Sequence, residues 1–295
     1  FRLAIPVLAS VMITYLFFSL NLISNTELAH AFGSIYVKGP ISWLNSQWAF
    51  IPSFDTAFNS GVWYSFFDYH KVKTYNSVLW TMGPELFGSF ILFFFLAFSA
   101  GSNKRWLLYV IVISFFVYYN KLYYVAFISG IAISDLKRFI QFKIDNSVIK
   151  ILLFALLIYL VSLKNYNGYF HLILATVTVI FVYVFGFYER FLSNKYILFL
   201  GRISFSLYLV HMVVIGVVSA PVYFSLLPYF GNTVSKLASA MMVLVVSLLF
   251  ATVFYRFIEK DSPLYAKKIV SIIESLIMLL KPFLFKRNTI IKPGL

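Results

Sequence analysis

Apolar residues run along the chain in blocks of near-membrane length, at about 3–22, 79–100, 106–119, 122–135, 148–163, 169–187, 198–220 and 236–258. They predict helices that cross a bilayer, several of them shorter than the roughly 20 residues of a straight crossing. Tyr118, Tyr119, Asn120 and Lys121 separate the third block from the fourth, either as a tight hairpin or as an interruption in one long segment; we read two spans. Two regions break the pattern. Residues 23–78 form a connection far longer than an ordinary loop, and its Trp43, Trp48, Trp63, Tyr64, Phe66, Phe67 and Tyr69 give it the wrong composition for disorder. Those aromatics form either a belt at the headgroup level or a flat platform for a sugar face, rimmed by Asp55, Asp68 and His70. In the tail, residues 264–280 interleave Lys267, Lys268, Ser271, Glu274 and Ser275 with Ile, Val, Leu and Met, as an interfacial helix does.

The fold class expected is therefore all-α: a polytopic transmembrane helix bundle over residues 1–258, followed by a basic tail over 259–295. The basic residues fix an orientation. With Arg2 cytoplasmic, the inner side collects Lys104, Arg105, Lys137, Arg138, Arg202, Arg256 and the tail lysines, while the outer side receives only Lys38, Lys71, Lys73, Lys121, Lys164 and Lys236. Both visible ends then lie in the cytoplasm.

Composition agrees. The chain is 61% hydrophobic and 12% charged, with a mean hydropathy of +0.88, against about half and a quarter in soluble domains. The net charge of +14 belongs to topology, so no nucleic acid is expected as a partner; membrane lipids are. No cysteine is present, which removes thiolate chemistry. His30, His70, His171 and His211 never fall at metal-ligand spacing, and no metal is expected. The chain opens at Phe1 as if at the end of a basic segment, which reads as a fragment.

Charged groups inside spans are costly and point to function. In WTMGPELFGSF, residues 80–90, Gly83 and Pro84 predict a bend or a new helical start just before Glu85, with Ser89 one turn further on the same face. Glu85 either ties two helices together or acts in the chemistry. In GRISFSLYLVH, residues 201–211, a helix places Arg202 and His211 about 13 Å apart, so the arginine sits at the boundary and the histidine reaches the interior. Ser204, Tyr208 and His211 recur at i, i+4 and i+7 on one stripe, facing protein or water. In YRFIEKDSP, residues 255–263, Arg256 and Glu259 are spaced to pair.

Taken in order, these clusters resemble the acyltransferase 3 family of bacterial membrane O-acyltransferases, which modify surface glycans. WTMGPELFGSF matches the family's tryptophan, Ser or Thr, and glutamate; GRISFSLYLVH is very close to its late-helix pattern; YRFIEKDSP resembles its closing element, although Lys260, Asp261 and Ser262 delay the proline; FRLAIP looks like the end of its R-x-x-R segment, with Arg2 as second arginine. The resemblance implies a multi-pass protein of the bacterial inner membrane with about ten spans, eight of them here. It implies acetyl-CoA, or another acyl-CoA, as cytoplasmic donor and a glycan hydroxyl, such as one of a lipopolysaccharide O-antigen, as acceptor. Arg2, Arg202 and Arg256 are then expected to hold the donor's phosphates, with Trp80, Trp63 and Tyr208 contacting the acceptor. The family's catalytic histidine lies in the first span, which places the main base upstream of Phe1, with Glu85 as partner and His211 in support. The competing classes are a transporter or flippase of a glycan or lipid precursor, and a glycan polymerase.

Overall fold

The computed structural model describes residues 3–24, 26, 27, 29, 46–71, 73–102, 104–139, 146–163, 167–184 and 189–284. Among these, all regular structure is helical. The chain divides into two compact units, one built from residues up to Trp80 and from Ile203 onward, the other from Thr81–Arg202.

The first unit begins with α1, Ala4–Ser19, which buries Pro6, Val7, Ser10, Val11 and Thr14. The two hydroxyls are satisfied within the helix: Ser10 Oγ donates to Val7 O at 2.9 Å and Thr14 Oγ1 to Ser10 O at 2.9 Å. That leaves the stripe free to pack. Against it lies α2, Phe54–Asn59, capped by the Ser53 hydroxyl and continued by a π turn at Ser60–Tyr64. The approach is close enough to require glycine, because a Cβ on Gly61 would sit 2.9 Å from Leu8 Cα.

Tyr75 pins this connection to α1. Its ring meets Tyr15, Phe18 and Phe50 edge-on, and its hydroxyl accepts from Ser53 N at 3.0 Å while lying 2.7 Å from Thr56 Oγ1. Trp48, 5% exposed and at φ 56°, donates from Nε1 to Tyr75 O at 2.8 Å. The tryptophan ring also rests on Gly216, where a Cβ would stand 3.3 Å from it.

Late in the chain, α9, Lys195–Phe254, breaks at Gly231, whose φ of 70° and ψ of 178° belong to glycine. The limbs on either side fold back on one another: Ser239 Oγ donates to Ser219 O at 2.9 Å, and Tyr223 Oη to Asn232 Oδ1 at 3.0 Å. A π turn at Tyr255–Glu259 and then α10, Ser262–Leu284, follow. α10 is amphipathic, and Leu264, Ile272, Leu276 and Met278 are all exposed on it.

The second unit contains α3, Met82–Ser99, entered through a 3-10 turn at Ser77–Thr81; α4, Arg105–Tyr118; α5, Leu122–Phe139; α6, Ser147–Ser162; α7, Gly168–Val179; and the short α8, Glu189–Leu192. Asn120 at φ 53° turns α4 into α5, with Lys121 N donating back to Phe116 O at 2.8 Å, so 106–119 and 122–135 are two helices. Phe95, Ile128 and Ile131, packed by Leu92, Leu108 and Val112, form the core where α3, α4 and α5 meet.

A helix stands at each of the eight predicted apolar blocks. Among the described residues, two stretches, Ser77–Ser99 and Lys195–Met278, are long and apolar enough to cross a membrane, the second containing the fold-back at Gly231. Ala4–Ser19, Arg105–Tyr118, Val148–Ser162 and Gly168–Tyr183 are apolar but shorter.

Candidate active site

The long connection and the first limb of α9 meet in the first unit through backbone carbonyls. Asn76, 1% exposed, donates from Nδ2 to Leu209 O at 2.7 Å, while its Oδ1 accepts from Val78 N at 3.4 Å. Tyr208 Oη donates to Val78 O. Thr74 Oγ1 donates to Asn76 O at 3.0 Å and Tyr69 Oη to Ser77 O at 2.8 Å. Burial lifts the Tyr69 phenol above its ordinary value, outweighing the opposite effect of its hydrogen bond with Thr74, and the neighbouring Tyr208 hydroxyl adds a smaller upward push. A turn of irregular backbone is thus fastened to a helix by side chains that satisfy its polar groups.

His211 lies one turn beyond Tyr208, ring centroids 6.1 Å apart, and is half-buried. Its Nδ1 is 2.8 Å from Tyr208 O and 3.1 Å from Leu207 O. Both contacts are acceptors, so Nδ1 carries the proton and, in the neutral ring, Nε2 holds the lone pair. This fixes both the tautomer and the ring plane.

Of the predicted stripe, Tyr208 and His211 are half-buried and Ser204 is exposed. Sequence reasoning missed Ser206, which is fully buried and donates its hydroxyl to Glu259 Oε2. Glu259 takes that hydroxyl and forms no ion pair with Arg256, which points outward and is exposed. Arg202 is exposed as well, and Arg2 lies outside the described residues. Sequence reasoning also missed Asn76, whose only signal was a polar run, Thr74 to Ser77, amid aromatics.

The aromatic connection separates into two classes. Trp48 and Phe66 belong to the core, at 5% and 6% exposure, whereas Trp63 is 55% exposed. Trp63 lies on Phe67 with ring centroids 4.4 Å apart, and beside them Tyr64 meets the His70 ring at 5.9 Å. His70 Nε2 pairs with Asp68 Oδ2 at 3.2 Å. The sequence expectation of an aromatic surface rimmed by Asp68 and His70 has this local arrangement; Asp55 instead accepts from Asn59, and Trp43 is outside the described residues. Trp80 is 45% exposed on the same 3-10 turn as Val78.

In the second unit, Glu85 stands in the first turn of α3, half-buried, and Ser89 Oγ donates to its backbone carbonyl at 2.8 Å. Pro84 is also in that turn, where a missing N–H is no loss, and the helix dipole favours a carboxylate there. No group of three or more histidines and carboxylates placed to hold a metal ion occurs among the described residues.

Comparison with protein families settles the class. Residues 1–256 match the acyltransferase 3 family, described as an acyltransferase domain. The chain belongs to that family and is an acyltransferase, of a kind typically associated with membranes. No curated protein and no solved structure matches it.

Proposed function

We propose that this acyltransferase moves an acyl group, most simply acetyl, from cytoplasmic acyl-CoA to a hydroxyl of a cell-surface or lipid-linked glycan. It does so as an eight-span unit of the bacterial inner membrane, with the described ends on the cytoplasmic side and α10 lying in the inner interface. The observation that carries the reading is His211: an imidazole locked by backbone carbonyls, with Nε2 holding a lone pair, on a helix fastened to an aromatic connection. In the transfer, the acceptor oxygen attacks the thioester carbonyl, the C–S bond breaks, and the hydroxyl proton passes to a base while coenzyme A leaves as thiol. His211 Nε2 is suited to accept or relay that proton. Glu85 is retained as a second acid–base group on its own evidence, a half-buried carboxyl within an apolar span. Trp63 and Trp80 offer exposed ring faces to a sugar, with Tyr208 setting the turn beneath Trp80. Arg202 and Arg256, exposed on basic segments, are assigned to the donor's phosphates.

The test is mass spectrometry of surface glycans from cells making the full-length protein. Wild type adds an ester; His211→Ala and Glu85→Gln lose most of it while inserting normally in the membrane. Unchanged ester content in both variants overturns the assignment. A wild-type protein that moves an unmodified glycan across the bilayer without adding an ester overturns the function.

A further inference from the structure

The open end of the α4–α5 hairpin holds a cluster outside the four sequence clusters that carry the family resemblance. Asp135 is met from three sides. Tyr109 Oη donates to its Oδ2 at 2.6 Å, Arg105 Nε lies 3.2 Å from the same oxygen, and Arg138 Nη1 lies 3.9 Å from Oδ1. Arg105 is fixed further by the rings of Phe95 and Tyr109, each 5.9 Å from its Cζ. Two guanidiniums therefore share one carboxylate, and one positive charge is left over. Arg138 carries it outward, its side chain 73% exposed, while Asp135 is 18% exposed. Arg105, Tyr109, Asp135 and Arg138 line a cavity of about 530 Å³ together with Trp106 and Ser102, a volume within the range of small-molecule sites.

We propose that this cavity binds a phosphate group, held by Arg105 and Arg138 beside the exposed ring of Trp106. Asp135 and Tyr109 serve as the frame that orients the Arg105 fork, since planar guanidinium matches phosphate geometry. A single framed arginine with a second, exposed one suits a ligand that arrives and leaves. The phosphate has two possible sources, coenzyme A or the headgroup of an anionic phospholipid. The coenzyme source rests on the acyl-CoA reading above, and the phospholipid source does not.

Full-length protein in nanodiscs of pure phosphatidylcholine is titrated with coenzyme A, and the same protein in detergent is analysed by native mass spectrometry for retained phosphatidylglycerol. Arg138→Ala is the main variant, because a side chain so exposed carries little of the fold. Arg105→Gln is the second, with circular dichroism reporting its folding. A coenzyme A affinity lowered about tenfold by Arg138→Ala, the loss expected for a charge-assisted bond, supports the site with the donor as ligand. Loss of retained phosphatidylglycerol in the variant supports it with a lipid as ligand. If neither coenzyme A affinity nor phosphatidylglycerol retention changes in Arg138→Ala and in folded Arg105→Gln, the proposal is overturned. Since coenzyme A binding needs no acceptor, failure of ester transfer in cells leaves this result readable by itself.

Discussion

Asn76 and Tyr208 offer a quantitative test of whether residues 76–78 are held to α9 as one unit. Asn76→Ala removes the 2.7 Å bond to Leu209 O and the 3.4 Å bond from Val78 N at a site 1% exposed. At about 1 kcal/mol for a good buried hydrogen bond, plus the void left by the carboxamide, the loss is roughly 2 kcal/mol. Tyr208→Phe keeps the ring beside His211 and removes the donor to Val78 O, a loss of about 1 kcal/mol. Independent bonds would give the double variant a loss of roughly 3 kcal/mol. Both bonds hold the same three residues, so once either is gone the turn shifts and the other contributes less. The double variant is therefore expected to lose only about 2 kcal/mol, a coupling near 1 kcal/mol. Unfolding in mixed micelles of dodecyl sulfate and a mild detergent measures this, followed by tryptophan fluorescence, with buried Trp48 next to the affected turn. Losses that add to within about 0.5 kcal/mol would refute a shared clamp.

Further outcomes follow from the same contacts. Trp48→Ala is expected to destabilise by about 3–5 kcal/mol, whereas exposed Trp63→Ala leaves stability within about 0.5 kcal/mol and raises KM for the glycan acceptor; detergent melting and transfer kinetics separate the two. Gly61→Ala forces a Cβ to 2.9 Å from the Leu8 backbone, and a loss of about 1–3 kcal/mol is expected in the same unfolding assay. Arg202→Ala is expected to raise KM for acyl-CoA more than for the acceptor, as read by transfer at varied donor concentration. The pH dependence has a definite sign. Because burial raises the Tyr69 pKa above 10.0, the folded state favours the neutral phenol, so stability is full below pH 10 and falls as pH rises through the folded value. Tyr69→Phe should flatten that alkaline limb in a melting series across pH.

The apolar blocks are legible because spans need length and continuous hydrophobicity, whereas the polar break at 118–121 fits a hairpin or an interrupted helix equally in sequence, and the left-handed turn at Asn120 decides for the hairpin. The two limbs at 198–220 and 236–258 are predicted as separate spans, but nothing in GNT marks the one-residue reversal at Gly231 that joins them. Tyr208 and His211 were found by helical spacing, which holds within one element. Asn76, Ser206 and Asp135 escaped for the opposite reason. Each acts on a partner distant in sequence, Leu209, Glu259 and Arg105, and no local periodicity encodes such a pairing. The expected Arg256–Glu259 pair had correct spacing, but a π turn widens the helix there and a buried serine competes for the carboxylate.

Gly231 makes the limbs of α9 answerable to each other residue by residue. With a single glycine at the crest, no slack exists to absorb a change in chain length. One inserted residue would rotate the second limb by about 100° relative to the first. Ser239 would leave Ser219, and Val246 and Val253 would leave the valines at 213 and 217 that now share a cavity with them. Length at this crest is therefore as constrained as identity: loops elsewhere tolerate additions, while an addition here would reach the far ends of both limbs, including Ser206 and its tie to Glu259.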